Sequence, residues 1–293
     1  MNENQVIPYL YRYPQTCIAK NWTLSYEPEK YVHGYTDRES ERLSDQAQTL
    51  TGLLHNDTGY PEGSHVLEAG CGIGAQTVIL GKNSPGAYIT SVDISADSLQ
   101  RAKDMTQKEG IGNVTFCQGD IFHLPFVPGT FHHIFVCFVL EHLSEPQHAL
   151  ERFRPLLKEG GTITVIEGDH GSAFFHPESQ YAQKAIDCLE HLQRSMGGNA
   201  LIGRQLYPLL TAAGFSGVHV SPLMVYVDSS RPALVEGFIK LTFTAMVEGV
   251  GNAAWEQGMI SREEWDRGIR DLYQTCGKDG VFCYTFFKAT ARK

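Results

Sequence analysis

The segment that most constrains the fold of this 293-residue chain is the glycine-rich run EAGCGIG at residues 68–74. It follows a strand-like triplet at 65–67 and precedes a helix-like stretch at 75–80. Glycine tolerates backbone angles that other residues avoid, and its missing side chain lets a ligand approach the main chain. Because the helix that follows adds free N–H groups, the run predicts a nucleotide-type cofactor site.

Composition limits the classes of partner that the chain binds. The formal net charge is −9, and no dense run of Lys or Arg is present. An acidic chain without a basic patch does not attract a phosphate backbone, so we expect no nucleic-acid partner. The sequence has neither a signal-peptide pattern nor about 18 consecutive apolar residues, so we expect a cytoplasmic protein without a membrane partner.

The cysteines and histidines do not form a ligand pattern. Seven cysteines are scattered, several of them within apolar strand-like runs, which is typical of small buried residues in a reducing compartment. No CxxC or comparable spacing occurs, and His132 and His133 are adjacent in a strand and therefore face opposite ways. We expect no metal site.

From residue 64 onward, strand-like runs alternate with helix-like runs, which is typical of an α/β fold with a parallel sheet covered on both faces. The predicted strands are 65–69, 87–93, 114–117, 132–138, 162–167, a run within 217–227, and 281–289. The predicted helices are about 74–83, one carrying Leu99, Ala102 and Met105, one from about 144 to a stop at Gly160-Gly161, then 177–195 and 203–213.

Two segments extend this core. Residues 1–35 are rich in tyrosine and low in charge, so we expect an irregular arm that packs on other parts of the protein, followed by a helix after the capping box Thr36-x-x-Glu39. A mostly helical insertion has a second capping box at Ser261-x-x-Glu264. The predicted domains are a cap at 1–63, a core at 64–229 and 276–293, and a helical lid at 230–275.

The glycine run alone leaves two cofactors open. Gly70-x-Gly72-x-x-Ala75 satisfies the dinucleotide fingerprint, and Asp93 lies near the expected distance downstream. A carboxylate at that position accepts hydrogen bonds from a ribose diol in NAD and in S-adenosylmethionine alike.

Three further features favour S-adenosylmethionine. Glu68 precedes the first glycine by two residues and suits an ammonium or sulfonium group, whereas it would repel a pyrophosphate. Gly-Asp-Ile at 119–121 follows the third strand, where a side chain can accept an adenine amino proton. The fourth strand ends in Phe-Val-Leu-Glu-His-Leu at 138–143, and Leu-Leu-Lys-Glu-Gly-Gly follows at 156–161.

In this order and spacing, the motifs resemble the class I S-adenosylmethionine-dependent methyltransferases, in particular the small-molecule branch that includes the ubiquinone/menaquinone methyltransferases. The resemblance is specific over about residues 64–170 and weaker through 203–227. It implies a Rossmann-like seven-stranded methyltransferase sheet with the last strand antiparallel, helices on both faces, and S-adenosylmethionine as the cofactor. The arm and the 230–275 insertion depart from the core pattern, so the resemblance does not name a substrate.

The resemblance also implies a cofactor-binding set. The methionine part is expected beside Glu68 and the turn, the ribose beside Asp93, and the adenine beside side chains after the second and third strands. The full predicted set is Tyr35, Gln46, Glu68, Gly70, Cys71, Gly72, Gly74, Asp93, Ile94, Gly119, Asp120, Ile121 and Phe138. Asp93 and Asp120 each have a structural alternative, as a helix cap and a turn residue respectively, although Ser95 can serve as the cap.

Gln46 and Tyr35 belong to this set through a polar helix face. Arg42 and Gln46 are four residues apart and therefore share one face. That face could lie over the cofactor's methionine carboxylate, with Tyr35 closing from above. An exposed helix face is the equally good alternative.

The catalytic candidates follow strands four and five, because ligands of open α/β sheets bind at the carboxyl ends of the strands. They are Glu141 and His142 after strand four, and Glu167, Asp169 and His170 after strand five. Histidine titrates near neutral pH, and either a histidine or a carboxylate could deprotonate an acceptor. For His142 a conformational role in the loop is favoured over catalysis.

The sequence therefore predicts methyl transfer to a nitrogen, oxygen or carbon atom of a small, aromatic or planar metabolite. Two alternatives stay open: a non-catalytic module that binds the cofactor and uses the lid as a partner interface, and an NAD-dependent oxidoreductase. Because the aromatic arm could cross to a second subunit, a homodimer is also considered.

Overall fold

The computed structural model describes residues 37–293, with side chains from residue 38. The arm at 1–35, Tyr35 and Thr36 of the first capping box lie outside the described residues. The strands in chain order are β1 His65–Ala69, β2 Tyr88–Asp93, β3 Val114–Gln118, β4 Phe131–Cys137, β5 Leu157–His176, β6 Ser216–Asp228 and β7 Val281–Arg292.

The strands form one mixed sheet in the order β3-β2-β1-β4-β5-β7-β6. The pairs β1–β2, β1–β4, β2–β3 and β4–β5 are parallel. The last strand, β7, inserts between β5 and β6 and is antiparallel to both. The predicted seven-stranded sheet with an antiparallel last strand is thus confirmed.

Successive residues of β1 point to opposite faces of the sheet, and each face has its own apolar core. Val66 joins a cluster with Leu50, Leu54 and the apolar side chains of the helices at 180–195 and 262–274. Leu67 joins a second cluster with Leu150 and the residues of the following helices on the other face. Because both faces are covered, the central strands are almost wholly apolar.

The helices that flank the sheet begin and end as follows: α1 Asp37–Leu54, α2 Ala75–Asn83, α3 Ala96–Lys108, α4 Pro146–Phe153, α5 Gln180–Ser195, α6 Leu206–Ala212, α7 Pro232–Leu234, a π-helix Val235–Thr244, α8 Ala245–Gly249, α9 Gly251–Glu256 and α10 Arg262–Gln274. Short 3₁₀ turns occupy Leu140–His142, Arg154–Leu156 and Ile202–Gln205. The capping box at Ser261 and Glu264 is present at the start of α10.

Two predicted helix boundaries are wrong. Gly160 and Gly161 do not stop a helix but lie within β5, because α4 already ends at Phe153 and the segment containing Pro155 turns the chain into the strand. The predicted helix at 203–213 divides into a 3₁₀ turn and the shorter α6.

Helix α1 is fastened to the sheet at its carboxyl end. The buried Lys288 ammonium of β7 donates to the Leu54 carbonyl at 3.0 Å and to Thr58 Oγ1 at 2.7 Å, and it pairs with Asp57. The π-helix then packs closely on α1, because a Cβ atom on Gly237 would collide with Thr49. α1 and the insertion between β6 and β7 therefore meet over the same part of the sheet. No helix of residues 37–293 is long and apolar enough to cross a membrane.

The buried His55 should make stability depend on pH. Its side chain is 3% exposed, its Nε2 lies 2.7 Å from Gln76 Oε1, and burial lowers the pKa of His55 from 6.5 to about 4. The unfolded chain therefore binds a proton at His55 more readily than the folded chain does. The contribution of His55 to the free energy of unfolding is complete above about pH 6.5, and it falls by roughly 3 kcal/mol in total as the pH drops from 6.5 towards 4.

We expect His55→Asn to flatten the fall in unfolding free energy between pH 6.5 and 4, as measured by urea denaturation at several pH values. His219→Asn, at an exposed position of β6, serves as the control and should keep the wild-type dependence. Equal pH dependence in the two variants would contradict this account of His55.

Candidate functional site

The turn after β1 is bonded to the end of β2. The N–H groups of Gly70 and Cys71 both donate to the Val92 carbonyl, at 2.8 and 2.9 Å. The three glycines of the turn, Gly70, Gly72 and Gly74, have φ angles of 76°, 52° and 86°. These left-handed angles favour glycine over other residues, so the glycine spacing is a requirement of the backbone path.

The glycines differ in what surrounds them. A Cβ atom on Gly70 would lie 2.5 Å from Val139 Cγ2, and one on Gly74 would lie 2.8 Å from Ala102 Cβ. A Cβ atom on Gly72 would meet no described protein atom within 4 Å. Gly70 and Gly74 therefore allow close packing within the protein, whereas Gly72 leaves the main chain open to a ligand.

Asp93 connects this turn to α3. Its Oδ2 accepts the N–H of Gly72 at 2.8 Å, and its Oδ1 accepts the N–H of Ser95 at 2.9 Å. The cap of α3 is Ser95, whose hydroxyl accepts the N–H of Ser98 at 3.2 Å. Ser95, and not Asp93, is therefore the residue that caps α3. The neighbouring Ile94 is 41% exposed, as expected of an apolar residue beside an open binding position.

The loop after β3 lies next to Asp93, because the Gly119 N–H donates to the Asp93 carbonyl at 3.0 Å. Asp120 does act as a turn residue, the alternative to an adenine contact. Its Oδ1 accepts the Phe122 N–H at 2.9 Å, and its Oδ2 lies 2.9 Å from His123 Nδ1. Each carboxylate oxygen can accept a second hydrogen bond. The turn role and the predicted adenine contact are therefore compatible.

Glu68 lies beneath the glycine turn, with 2% of its surface exposed. Its Oε2 accepts hydrogen bonds from Thr77 at 2.7 Å and from Ser91 at 2.6 Å, and burial raises the pKa of Glu68 to about 7. Its Oε1 is buried and has no hydrogen-bond partner among the described residues. Glu68 thus braces α2 and β2 and leaves one acceptor open for a ligand or a water molecule.

The turn after β4 is held by Glu167 of β5. Glu167 Oε1 accepts the N–H groups of Val139 at 3.0 Å and Leu140 at 2.8 Å. The preceding Phe138 has φ 57° and is the one non-glycine residue with positive φ in residues 37–293. Strained backbone of this kind clusters at functional sites. Glu167 is 0% exposed, and its burial, together with the nearby Glu141, raises the pKa of Glu167 well above its usual value.

A pocket lies where the end of β4 and the middle of β5 meet α1, the π-helix and β7. Its lining residues are Arg42, Leu43, Gln46, Phe138, Glu141, His142, Gly168, His170, Phe238, Thr242, Phe243, Met246, Tyr284 and Phe286. The sequence-predicted residues Gln46, Phe138, His142 and His170 are brought together here. Gln46 accepts a hydrogen bond from Arg42 at 3.0 Å, so the predicted polar helix face does point inward.

His170 is the polar centre of this pocket. Its Nδ1 lies 2.7 Å from the Tyr284 hydroxyl, and its Nε2 is 4.0 Å from Glu141 Oε2. On the other side of Glu141, Oε1 lies 3.6 Å from His142 Nε2. Burial lowers the pKa of both His142 and His170. The pocket therefore combines two imidazoles that favour the neutral form with one carboxylate.

Asp169 and Glu167 do not line the pocket. Side chains alternate along a strand, so Gly168 and His170 face the pocket while their neighbours face away. Asp169 accepts two hydrogen bonds from Arg204, at 2.5 and 2.6 Å, which occupies both of its oxygens. The structure thus separates His170 from the two carboxylates that the sequence placed in the same cluster.

Sequence reasoning missed Tyr284, whereas Glu141, a candidate from its place after β4, does line the pocket. The signal for Tyr284 was the alternation in β7, which places Phe282, Tyr284 and Phe286 on one face. No group of three or more His, Cys, Asp or Glu side chains in residues 38–293 is arranged to hold a metal ion.

This sheet order, with a glycine turn after β1 and an acidic residue after β2, defines a methyltransferase-type α/β fold. A family model described as "Methyltransferase domain" matches residues 61–214, which is more than half of the chain. The chain belongs to this methyltransferase family. The resemblance to class I S-adenosylmethionine-dependent methyltransferases is confirmed, and S-adenosylmethionine is the cofactor of the class.

Curated relatives include other methyltransferases. Methyltransferase GfsG of Streptomyces halstedii is 25% identical over 224 residues, 73% of this chain and 75% of its own length. The ubiquinone/menaquinone biosynthesis C-methyltransferase UbiE of Pseudomonas paraeruginosa is 30% identical over 132 residues, 44% of this chain and 49% of its own length. The chain spans between 35% and 59% of the length of the first curated relatives that it matches.

Among solved structures, Haemonchus contortus phosphoethanolamine N-methyltransferase 2 in complex with S-adenosyl-L-methionine is similar in fold. The TM-score is 0.54 at 19% identity, and the match covers 84% of this chain and 52% of that one. At this identity the likeness extends to the fold alone.

The opening at Gly72 can be tested by filling it. We expect Gly72→Ala to weaken S-adenosylhomocysteine binding about tenfold or more in isothermal titration, because the new methyl group occupies the position where a ligand reaches the main chain. The left-handed backbone itself costs an alanine roughly 1 kcal/mol.

Gly63→Ala is the matched control, since Gly63 also has a positive φ, of 76°, and no atom near its virtual Cβ, but lies before β1. Both variants should lose similar thermal stability, and only Gly72→Ala should lose affinity. Equal affinities in the two variants would show that no ligand approaches Gly72.

Proposed function

We propose that this chain binds S-adenosylmethionine at the turn after β1 and transfers its methyl group to a nitrogen, oxygen or carbon atom of a small, aromatic or planar metabolite. The observation that carries the proposal is the open main chain at Gly72 beside the Asp93 carboxylate, a short way along the sheet edge from an aromatic pocket. Cofactor and acceptor would thus occupy adjacent parts of one edge.

The residues at this edge fit the cofactor. Asp93 retains acceptor capacity for the ribose hydroxyls, since each of its oxygens takes one backbone N–H. The exposed Ile94 offers an apolar surface for the adenine ring, and Asp120 can accept an adenine amino proton. The unpartnered Oε1 of Glu68 can accept from the methionine ammonium, directly or through water.

When bound, S-adenosylmethionine supplies a methyl group on a positively charged sulfur, which a nucleophilic acceptor atom displaces in line to leave S-adenosylhomocysteine. The protein then mainly has to align the acceptor and exclude water, and proximity alone can contribute roughly 7–11 kcal/mol. Helix α1 and the insertion at 230–275 would act as the lid over the core, since both contribute to the pocket lining.

His170 is the side chain best placed to accept an acceptor proton. It lines the pocket and is 4% exposed, and its Nε2 has no hydrogen-bond partner among residues 38–293. If its Nδ1–H donates to the Tyr284 oxygen, Nε2 keeps its lone pair toward the pocket. Tyr284 acts here as a positioning residue, because its contact with Nδ1 holds the ring of His170 in place. His142 would support the loop after β4.

The proposal is tested by cofactor choice and by turnover. Thermal shift with S-adenosylhomocysteine and NADH in parallel should give stabilisation by S-adenosylhomocysteine alone. Incubation with methyl-labelled S-adenosylmethionine and a panel of amines, phenols and quinone-like compounds should then label at least one acceptor. Stabilisation by NADH would favour an oxidoreductase, and binding without any labelled product would favour a non-catalytic module.

The ribose assignment predicts a loss of cofactor affinity in Asp93→Ala. Because charge-assisted hydrogen bonds are lost, the dissociation constant for S-adenosylhomocysteine should rise roughly tenfold or more. Asp97→Ala, at an exposed position in the first turn of α3, is the control and should bind as the wild type does. Unchanged affinity in Asp93→Ala would refute the assignment.

The proton-acceptor role predicts that His170→Asn lowers kcat by roughly 100-fold or more, the usual range for a lost general base. S-adenosylhomocysteine affinity should stay unchanged, because His170 lies away from the glycine turn. His191→Asn, at an exposed position of α5, should retain full activity. A kcat for His170→Asn within about twofold of the wild type would remove His170 from the mechanism.

A further inference from the structure

The acceptor pocket contains a buried carboxylate without a fixed positive partner in the described residues. Glu141 is 8% exposed, and its Oε2 accepts a hydrogen bond from the Gln193 amide at 3.2 Å. It also lies near the imidazoles of His142 at 3.6 Å and His170 at 4.0 Å, and near the buried Glu167, whose pKa its charge helps to raise. Both rings are buried among apolar groups that disfavour their protonated forms.

The guanidinium of Arg42, which lines the pocket, already has a carboxylate partner. The Arg42 guanidinium donates to both oxygens of Glu39, at 2.6 and 2.7 Å, and to Gln46 at 3.0 Å. Since Glu39 pairs with Arg42, Glu141 is the carboxylate of the described pocket lining that no arginine or lysine of residues 38–293 contacts. A buried charge of this kind is costly unless another charge compensates it.

Aromatic rings surround the same space. Tyr284 lies 4.8 Å from Phe286 and 5.6 Å from Phe243 between ring centroids, and Phe138 lies 5.6 Å from Phe286. The faces of such rings attract cations and repel anions. The apolar rings also provide a surface for a hydrocarbon or aromatic body.

The two polar groups are close enough for one donor group to bridge them. Nε2 of His170, which has no hydrogen-bond partner in residues 38–293, and Oε2 of Glu141 are 4.0 Å apart, so an atom beside both can lie at about 2.8 Å from each. An ammonium donates to both positions at once and neutralises the carboxylate. A hydroxyl has one proton to donate and leaves the charge of Glu141 uncompensated, and a carboxylate is repelled.

We propose that the methyl acceptor is an amine with an apolar or aromatic body, and that it binds as an ammonium beside Glu141 and His170 against the rings of Tyr284 and Phe286. The ammonium then gives one proton to Nε2 of His170, and the freed lone pair forms the N–C bond to the methyl carbon as the C–S bond breaks. This inference rests on the proposed function, because it assigns the acceptor class of the same site. Recognition depends on Glu141 for charge, on His170 for position and on the rings for the body of the ligand.

The test uses three probes that differ in one group: 2-phenylethylamine, 2-phenylethanol and 3-phenylpropionate. Each is titrated into the full chain saturated with S-adenosylhomocysteine, with ligand-observed NMR to reach weak affinities. We expect the amine to bind at least about tenfold more tightly than the other two, as expected for one uncompensated buried charge. In Glu141→Gln this preference should be lost, while Glu145→Gln, at an exposed carboxylate nearby, should keep it.

Affinity for S-adenosylhomocysteine and the melting temperature are measured for every sample, so that a folding defect in Glu141→Gln is recognised. Tyr284→Phe, which keeps the ring and removes the hydroxyl, provides a second variant and should keep a preference for the amine. Equal or undetectable binding of the three probes, or an amine preference that survives Glu141→Gln, would overturn the inference while cofactor binding persists. Absence of cofactor binding would instead refute the proposed function.

Discussion

The hydrogen bonds that fasten the turn after β1 to the end of β2 are the interaction on which the rest of this site depends. Gly70 and Cys71 donate to the Val92 carbonyl, and Gly72 donates to the Asp93 carboxylate. These bonds require left-handed glycines, and they orient Asp93 along the sheet edge. They also leave the main chain at Gly72 accessible. One local network therefore sets the position of the turn and the start of α2, and it shapes the edge to which the proposed function assigns the cofactor.

Buried carboxylates give the same edge its rigidity. Glu68 bridges α2 and β2 through Thr77 and Ser91, and Glu167 holds two N–H groups of the turn after β4. Burial of a carboxylate is unfavourable unless hydrogen bonds compensate it, so each of these residues fixes the conformation of the partners that it needs. Glu141 differs, because among residues 38–293 its contacts give it no arginine or lysine partner. This difference is the reason that the proposal gives Glu141 a role in ligand recognition.

The sequence predicts the parts of this molecule that depend on local pattern. Glycine spacing, strand alternation and the Ser261 capping box give the positions of the strands along the chain, the glycine turn and the start of α10, whereas the antiparallel last strand was implied by the family resemblance. Contacts between distant residues could not be predicted: His170 meets Tyr284, 114 residues away, and Glu68 meets Ser91, 23 residues away. The 167–170 cluster was predicted to follow the fifth strand, but it lies within β5, where alternation directs Asp169 to Arg204 and His170 to the pocket. Pro155 is a local signal for the end of α4, but the end of this helix was predicted at Gly160-Gly161 instead.

The central claim is that the edge formed by β1, β2 and β4 holds an amino-acid-bearing sulfonium nucleotide beside the acceptor pocket. A crystal structure with S-adenosylhomocysteine bound tests it most directly. The account predicts ribose hydroxyls on the Asp93 carboxylate, the main chain at Gly72 against the ligand, and the sulfur directed toward the pocket of Glu141 and His170. An empty edge in such crystals, or a sulfur directed away from that pocket, would contradict it.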